Sequence, residues 1–300
     1  MIKKKVLVSS ILNFLGDTVI SVDGAIDGVF IDNLADVERV NETTLDWINP
    51  SRQNKQSIAE TSKAYVLLVD ETIAAIPNKT LIHVRNPMLA LAEVGNHFFV
   101  NKSPSGIHPT SIIHPEAQIG NNCYIGPYSV IDKAIIGDNC YIDSYVRIHD
   151  GVVLGHDCVV KTGAVLGGEG FGFIKDEDGN RYRFPQIGQL LIGNYVEIGA
   201  NTCIDRGALS DTVIGDYTKI SKLCLIAHNN KIGRNVEITG SVMLSGSNII
   251  EDDVWIAPNS CIRGWIHIGE HATIGMGAVV VKDIPAGEIW VGNPAHKLDK

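Results

Sequence analysis

The sequence predicts a mainly β protein: a parallel β-helix of hexapeptide repeats, preceded by a small α/β domain. Three observations lead there. Aliphatic residues recur at intervals of six from Ile107 onward, and the longest unbroken run, Ile214 to Val280, holds twelve of them. The position four residues after the aliphatic one is small or β-branched, as at Ala117, Cys123, Ser129, Cys140, Thr202, Thr218 and Ala272. Aromatic residues are only 6% of the 300-residue chain, although 45% of it is hydrophobic and 30 residues are glycine. Neither a 3.6-residue period nor simple alternation produces a repeat of six. One short strand and a turn per hexad, with three hexads closing a triangular coil, does produce it. The aliphatic side chain then points to the axis and the small residue fills a corner. The glycine that often follows the aliphatic residue relieves the backbone at the turn. So narrow a prism has little room for rings.

Residues 1–100 lack the repeat and read as an α/β cap and candidate nucleotide-binding domain. The opening run imitates a signal peptide, with lysines followed by apolar residues, but Ser9, Ser10 and Asn13 interrupt it. It reads better as an amphipathic helix capped by Ser9 or Ser10, with Ile11, Leu12, Phe14 and Leu15 turned inward. Strands are expected near residues 28–31, 64–70 and 81–84, with the segment 44–50 between the first two. Asn86-Pro87 opens a second helix, with Met88, Leu89, Leu91, Ala92 and Val94 as its apolar face. Residues 101–106 form a linker. Residues 107–300 form the β-helix, with an inserted loop at 167–186.

Charge and cysteines narrow the class. The chain has 25 Lys+Arg against 34 Asp+Glu, a net charge of −9. That excludes a nucleic-acid backbone as main partner, since phosphate neutralisation needs a basic surface. A phosphate-bearing small molecule remains compatible through local cations such as Arg52, Arg206 or Lys222. No stretch is long and apolar enough for a transmembrane segment. Six cysteines occur without a C-x-x-C pair, so no zinc site is expected. Four of them occupy corner positions of the repeat. The expected compartment is reducing and cytoplasmic.

The repeat breaks twice. Twenty extra residues separate Leu166 from Ile192, beginning Gly167-Gly168-Glu169-Gly170-Phe171-Gly172-Phe173. Glycines there let backbone approach a ligand, and a long excursion from a regular solenoid often carries function. A shorter break at residues 205–211 adds four residues between Ile204 and Ile214. His228, in Ile226-Ala227-His228-Asn229, lies two residues past its aliphatic position and points out of the coil. Histidine is the natural general base near neutral pH. No Ser-His-Asp order, nucleophile elbow or P-loop is present.

The stretches at 167–173, 185–188, 196–202, 204–209, 211–215 and 226–229 resemble the UDP-3-O-acylglucosamine N-acyltransferase family of lipid A biosynthesis. The N-terminal domain is similar too, through Asn49-Pro50 and Asn86-Pro87, so the likeness covers nearly the whole chain. The resemblance implies a left-handed β-helix and a homotrimer with sites between subunits. It implies His228 as catalytic base and the Gly246 N–H as oxyanion donor. No metal and no permanently bound cofactor are implied; the co-substrate is an acyl thioester, on acyl carrier protein or CoA. The other partner is a nucleotide-linked amino sugar. Substrate contacts fall at Trp47, Asn49, Arg52, Gly170, Phe171, Gly172, Gln186, Asp205, Arg206, Asn229 and Trp265.

The sequence also departs from the family pattern. Trp265 stands where the family has a second active-site histidine. Asp46 and Arg52 stand where two aromatics clamp uracil, leaving Trp47 or the Arg52 plane to substitute. Residues 274–295 resemble hexapeptide sugar acetyltransferases that use acyl-CoA. Donor, acyl length and sugar therefore stay open, including an O-antigen or other surface-polysaccharide sugar. A non-catalytic scaffold that binds sugar nucleotides and a γ-type carbonic anhydrase are the readings of other classes.

Overall fold

The computed structural model describes residues 4–100 and 104–298. Residues 101–103 of the expected linker, and the first three of the opening run, lie outside the described residues. Contacts divide the chain into two units, Met1–Lys102 and Ser103–Lys300.

In chain order the first unit carries β1 (Val6–Leu7), α1 (Val8–Leu15), β2 (Val19–Asp23), β3 (Phe30–Ile31), β4 (Leu45–Trp47), α2 (Lys55–Thr61), β5 (Val66–Val69), β6 (Thr80–Val84) and α3 (Pro87–Val94). Four strands form one sheet in the order β2-β6-β5-β4, parallel except for β2. Central β5 is buried throughout, so its side chains alternate between two cores. Val66 and Leu68 join Ile11, Leu15 and Ala90, while Leu67 and Val69 join Ile48, Ala59 and Leu81.

Both helices expected from sequence form, with different caps and faces. Helix α1 begins at Val8, so Ser9 and Ser10 lie inside it and no side chain caps it. The Val8 N–H is already taken by the Val29 carbonyl, which removes the need for a capping side chain. Phe14 stays outside the core, stacked on His97 at 4.1 Å. In α3, Asn86 is the cap and accepts from the Leu89 N–H. The buried stripe is Pro87, Ala90 and Val94, however, and Met88 and Leu89 face out. Strand β2 and helix α2 are not foreshadowed by the sequence reading.

The second unit is a parallel β-helix with three faces. They hold eleven, nine and eight strands and are called here the first, second and third faces. The coil strands pair parallel and in register with the next coil, apart from a shift between Leu166 and Gly168, and His296–Lys297 ends the first face as an antiparallel strand. Ile125, Ile142, Val160 and Ile198 stack on the first face, and Ile204, Ile226, Leu244 and Ile262 on the second. These aliphatic residues form one continuous core with the small corner residues. Cys123, Cys140, Cys158 and Cys224 are buried at corners, while Cys203 and Cys261 sit on outward strand positions.

The turn chemistry differs from the expectation. The left-handed residue of each hexad is the third after the aliphatic one, and it is rarely glycine. Asn122, Asn139, Asn201, Asn229, Asn235 and Asn259 adopt φ near +60°, as do Tyr195, Ser247 and Trp265. The glycines directly after the aliphatic residues answer a different need. A Cβ on Gly126 would lie 2.7 Å from the Asp143 carbonyl carbon, and one on Gly199 would lie 2.6 Å from the Lys222 nitrogen. Coil-to-coil spacing, not φ, excludes a side chain there.

Gly199→Ala is therefore expected to destabilise the β-helix by about 1–3 kcal/mol through overpacking. Asn259→Gly, at a left-handed position, should change stability by less than about 0.5 kcal/mol. Thermal melts of the two variants check the contrast, and the reverse order would refute the packing account.

Candidate active site

One corner collects both insertions of the β-helix. The loop after Leu166, the insertion after Ile204 and the turn bearing His228 all connect the second face to the third, in three successive coils. The two loops brace each other. Arg206 donates its N–H to Gly168 O at 2.8 Å, and Ile187 donates to Ala208 O at 2.7 Å. A Cβ on Gly188 would meet the Ser210 carbonyl carbon at 2.8 Å, so this junction admits only glycine. Phe173–Lys175 and Arg181–Arg183 form an antiparallel hairpin at the far end of the longer loop.

Two buried asparagines fix the corner beneath His228. Asn230 and Asn248 occupy corner positions in adjacent coils, and both are fully buried. Asn230 donates to the Ala227 and Ser245 carbonyls at 2.6 and 3.0 Å, and its oxygen accepts from the Asn248 N–H at 3.1 Å. Asn248 donates to Ser245 O at 2.6 Å and accepts from the Ile266 N–H at 2.8 Å. The chain segments holding His228 and Gly246 are thereby locked to one another. The signal for this pair was present: two asparagines 18 residues apart, at a position that elsewhere takes small residues.

The imidazole of His228 has each edge defined. Asn229 Nδ2 donates to Ser210 O and Oγ at 2.7 and 2.8 Å. Asn229 Oδ1 therefore faces the ring, and it lies 2.8 Å from His228 Nδ1 while also accepting from the Ala208 N–H. Nδ1 must carry the hydrogen, which leaves Nε2 as a free acceptor. Gly246 covers the Nε2 side: a Cβ there would lie 2.8 Å from Cε1 and 3.0 Å from Nε2. Its N–H makes no hydrogen bond within the described chain. Gly170 covers the opposite side, where a Cβ would lie 2.7 Å from Cδ2.

A cleft of about 640 Å³ opens beside this ring. Its walls are mostly apolar, formed by Phe173, Ile174, Phe184, Leu209, Ile249 and Trp265, with Gly172, Gln186, Ser210, Asn229 and Lys231 among the remaining residues. Trp265 is 83% exposed, two coils above Asn229 in the same left-handed column. Asp205 lies one coil below His228. Loss of solvent raises its carboxyl to about 6, against the opposing pull of His228.

The residues expected from sequence thus separate into groups. His228, Gly246, Gly170, Gly172, Gln186, Asn229, Asp205 and Trp265 converge on this corner. Phe171 stays 89% exposed, against the edge of Phe173. Arg206 is committed to structure, its Nε donating to Gly188 O at 2.7 Å. Lys222 lines a different cleft of about 610 Å³ with Lys161 and Lys219. Trp47, Asn49 and Arg52 belong to the first unit. Trp47 lines a cavity of about 230 Å³ there, and the Asn49 side chain accepts from the Ser51 N–H. The sequence reading missed Ser210, Asn230 and Asn248. One group, Asp253, Glu270 and His271, has the donors to hold a cation, but all three are exposed and none lines the cleft.

Known proteins place the chain in a family. The bacterial transferase hexapeptide family matches residues 133–168 and 249–282, and the hexapeptide repeat of succinyl-transferase matches 117–144. A UDP-3-O-acylglucosamine N-acyltransferase of Coxiella burnetii is 32% identical over 270 residues, spanning 83% of this chain and 78% of its own. UDP-3-O-acylglucosamine N-acyltransferase 1 of Francisella tularensis is 38% identical over 294 residues, spanning 90% and 84%. Among solved structures, the UDP-N-acetylglucosamine acyltransferase of Francisella novicida superposes with a TM-score of 0.58 at 26% identity, over 64% of this chain and 68% of that one. The Bacteroides fragilis enzyme of the same name gives 0.59 at 27%, over 64% and 74%. The β-helix is of the left-handed kind these enzymes share.

The Asp205 carboxyl supplies a pH test. Its pKa is raised on folding, so its contribution favours the folded state at low pH and is lost as pH rises through about 6. Asp205→Asn removes that penalty. The variant should melt above the parent at pH 7.5, with the gap narrowing as pH falls through about 6 and closing by about pH 3, where most of the parent's carboxyl is protonated folded or unfolded. A gap that does not depend on pH would contradict this assignment.

Proposed function

The chain belongs to the UDP-3-O-acylglucosamine N-acyltransferase family, and from that premise we propose that it moves an acyl group from a thioester to the amine of a nucleotide-linked amino sugar, with His228 as base and Gly246 as oxyanion donor. The observation that carries this reading is the juxtaposition of a free Nε2 with an unpaired backbone N–H across Gly246. His228 Nε2 takes a proton from the amine as its nitrogen attacks the acyl carbon. The carbonyl oxygen gains negative charge and receives the Gly246 N–H. Such a donor is typically worth about 3–4 kcal/mol. The C–S bond then breaks, and the proton held on His228 passes to the departing thiolate. Asp205 favours the imidazolium formed midway. No covalent acyl-enzyme is required.

The apolar cleft suits an acyl chain, with Trp265 on its wall in place of a second histidine. Acyl carrier protein and CoA both present such a thioester. Nucleotide contacts in this reading fall to Trp47, Asn49 and Arg52 of the first unit, with Trp47 as stacking surface. Gly172, Phe171 and the hairpin behind them frame the acyl thioester. The reading further includes a cytoplasmic setting, which the six free cysteines suit. No helix among the described residues is long and apolar enough to cross a membrane. A homotrimer is part of the proposal. The outward strand positions of the second face run Ile112, Val130, Arg147, Val165, Cys203, Leu225, Met243, Cys261 and Val279, with one charge among nine. A face so apolar suits a second copy of the chain.

Purified protein incubated with UDP-3-O-acylglucosamine and either acyl-CoA or acyl-carrier donor, with products read by mass, tests the reaction. An N-acylated sugar is expected. His228→Ala should reduce turnover about 10³-fold, with the native mass unchanged near three times 32.5 kDa in sedimentation. Parental turnover in that variant would remove His228 from the mechanism.

Gly246→Ala keeps the backbone N–H but would set a Cβ 2.8 Å from His228 Cε1 and 3.0 Å from Nε2. The imidazole must shift, and kcat is expected to fall at least about 100-fold. The same rate constant measured for both proteins would show that the reaction does not use the space Gly246 leaves beside His228.

A further inference from the structure

Gln186 carries a polar atom that the fold leaves unsatisfied. Its side chain is 8% exposed, and Oε1 is the one buried side-chain nitrogen or oxygen among the described residues without a hydrogen-bond partner. The amide orientation is set by Nε2, which donates to Phe184 O at 3.3 Å. Two glycines lie against the carboxamide. A Cβ on Gly172 would lie 3.0 Å from Nε2, and one on Gly170 would lie 3.0 Å from Oε1. That same Gly170 Cβ would lie 2.7 Å from His228 Cδ2 and 3.0 Å from His228 Cβ, so the orphan acceptor lies on the Cδ2 side of the imidazole, with the Gly170 turn between them. An unpaired buried acceptor is costly, and such groups call for an explanation.

We propose that Gln186 is a specificity-determining residue, whose Oε1 accepts the second N–H of the attacking amine and so selects nitrogen over oxygen as nucleophile. The proposal rests on the acyl-transfer reading above. A primary amine carries two N–H bonds and one lone pair. With the lone pair aimed at the acyl carbon, one N–H meets His228 Nε2 and the other meets Gln186 Oε1. A hydroxyl has a single hydrogen. His228 takes it, and Oε1 remains buried without a donor, which is the arrangement that rejects an analogue lacking one hydrogen bond. During transfer the N–C bond forms, the C–S bond breaks, and the proton passes by way of His228 to the departing thiolate. The N–H held by Gln186 stays on nitrogen and becomes the N–H of the product amide. To reach Oε1 the amine must push aside the turn at Gly170. That turn is held at its two ends, by the Arg206 N–H on Gly168 O at 2.8 Å and the Phe184 N–H on Gly172 O at 2.9 Å, while between them Phe171 is 89% exposed and Glu169 reaches exposed Arg183 at 3.2 Å.

Gln186→Met keeps the length of the side chain and removes the acceptor. In the full chain without substrate, the variant should melt about 2–4 °C above the parent, because an orphan group is gone. Its kcat/KM for UDP-3-O-acylglucosamine should fall about 10–100-fold, mostly in kcat. Affinity is then measured without acyl donor, for the amino sugar and for its analogue with a hydroxyl in place of the amine. The parent should prefer the amine about tenfold, and Gln186→Met should bind both within twofold, by losing affinity for the amine alone. Gln186→Glu, which keeps an acceptor, should retain the preference. Equal loss for both ligands, or an undiminished preference for the amine in Gln186→Met, would overturn the proposal. If the parent forms no amide with any donor, the acyl-transfer reading fails, while the two affinities still report on Gln186.

Discussion

The structure depends on one constraint: successive coils of the β-helix stack at hydrogen-bonding distance along their whole perimeter. The ladder pairs Ile204 with Ile226, Leu244 and Ile262 without slippage. A residue's position in the hexad therefore fixes its neighbours above and below. The second position of the turn after the second face makes a column of Arg206, His228, Gly246 and Gly264, and the third position makes a column of Asn229, Ser247 and Trp265. Parallel pairing supplies this order only if nothing protrudes between coils. Gly126 and Gly199 show how strictly that holds, since a single methyl at either would strike the backbone above.

The same constraint explains where chemistry can live. Inside the prism there is room only for aliphatic and small side chains, and along the flat faces each side chain points straight out. A corner is different. The N–H two residues past each aliphatic position leaves the ladder, and a neighbouring loop can lean over it. Both insertions leave the coil at the corner that carries His228, in the two coils immediately before it. They bring Ser210 to hold Asn229, which in turn holds Nδ1 of the base. The insertions are thus the parts that turn a solvated histidine into an oriented one.

Much of this was legible in the sequence. The exact period of six fixed the architecture, because no other regular structure yields it, and the breaks after Leu166 and Ile204 pointed to the site. His228, Gly246, Gly170, Gln186 and Asn229 do converge. The turn glycines were found but misread: their need for space between coils looks, in one dimension, the same as a need for positive φ. The α1 cap was misplaced because its first N–H is satisfied by Val29, from a strand the sequence does not mark as adjacent. Asn230 and Asn248 were missed because their partners are carbonyls three and fifteen residues away. Only stacking brings these together, and a hydropathy pattern does not register it. Arg206 is one of three cations, with Arg52 and Lys222, that the sequence leaves compatible with a phosphate; its Nε bond to Gly188 O exists only once both loops are folded, and so is not visible in one dimension.

Glycine at 246 joins the stacking constraint to the proposed chemistry. An N–H that is to receive developing negative charge must be free in the resting state and lie close to the base. A side chain at that position would fill the space the reacting atoms need. Gly246 meets the first through its place in the turn, where the N–H leaves the ladder, and the other two through its missing Cβ, while the ladder on either side and the Asn230–Asn248 pair beneath keep its backbone from drifting. In the proposed mechanism the Gly246 N–H is preorganised by the same packing that holds the coil together, so it would require little reorganisation when charge develops. A β-helix with no deep interior cavity can therefore hold a reaction centre, provided the centre uses backbone groups at a corner. The side chains it does use, His228 and Asn229, are then oriented by loops from the coils below.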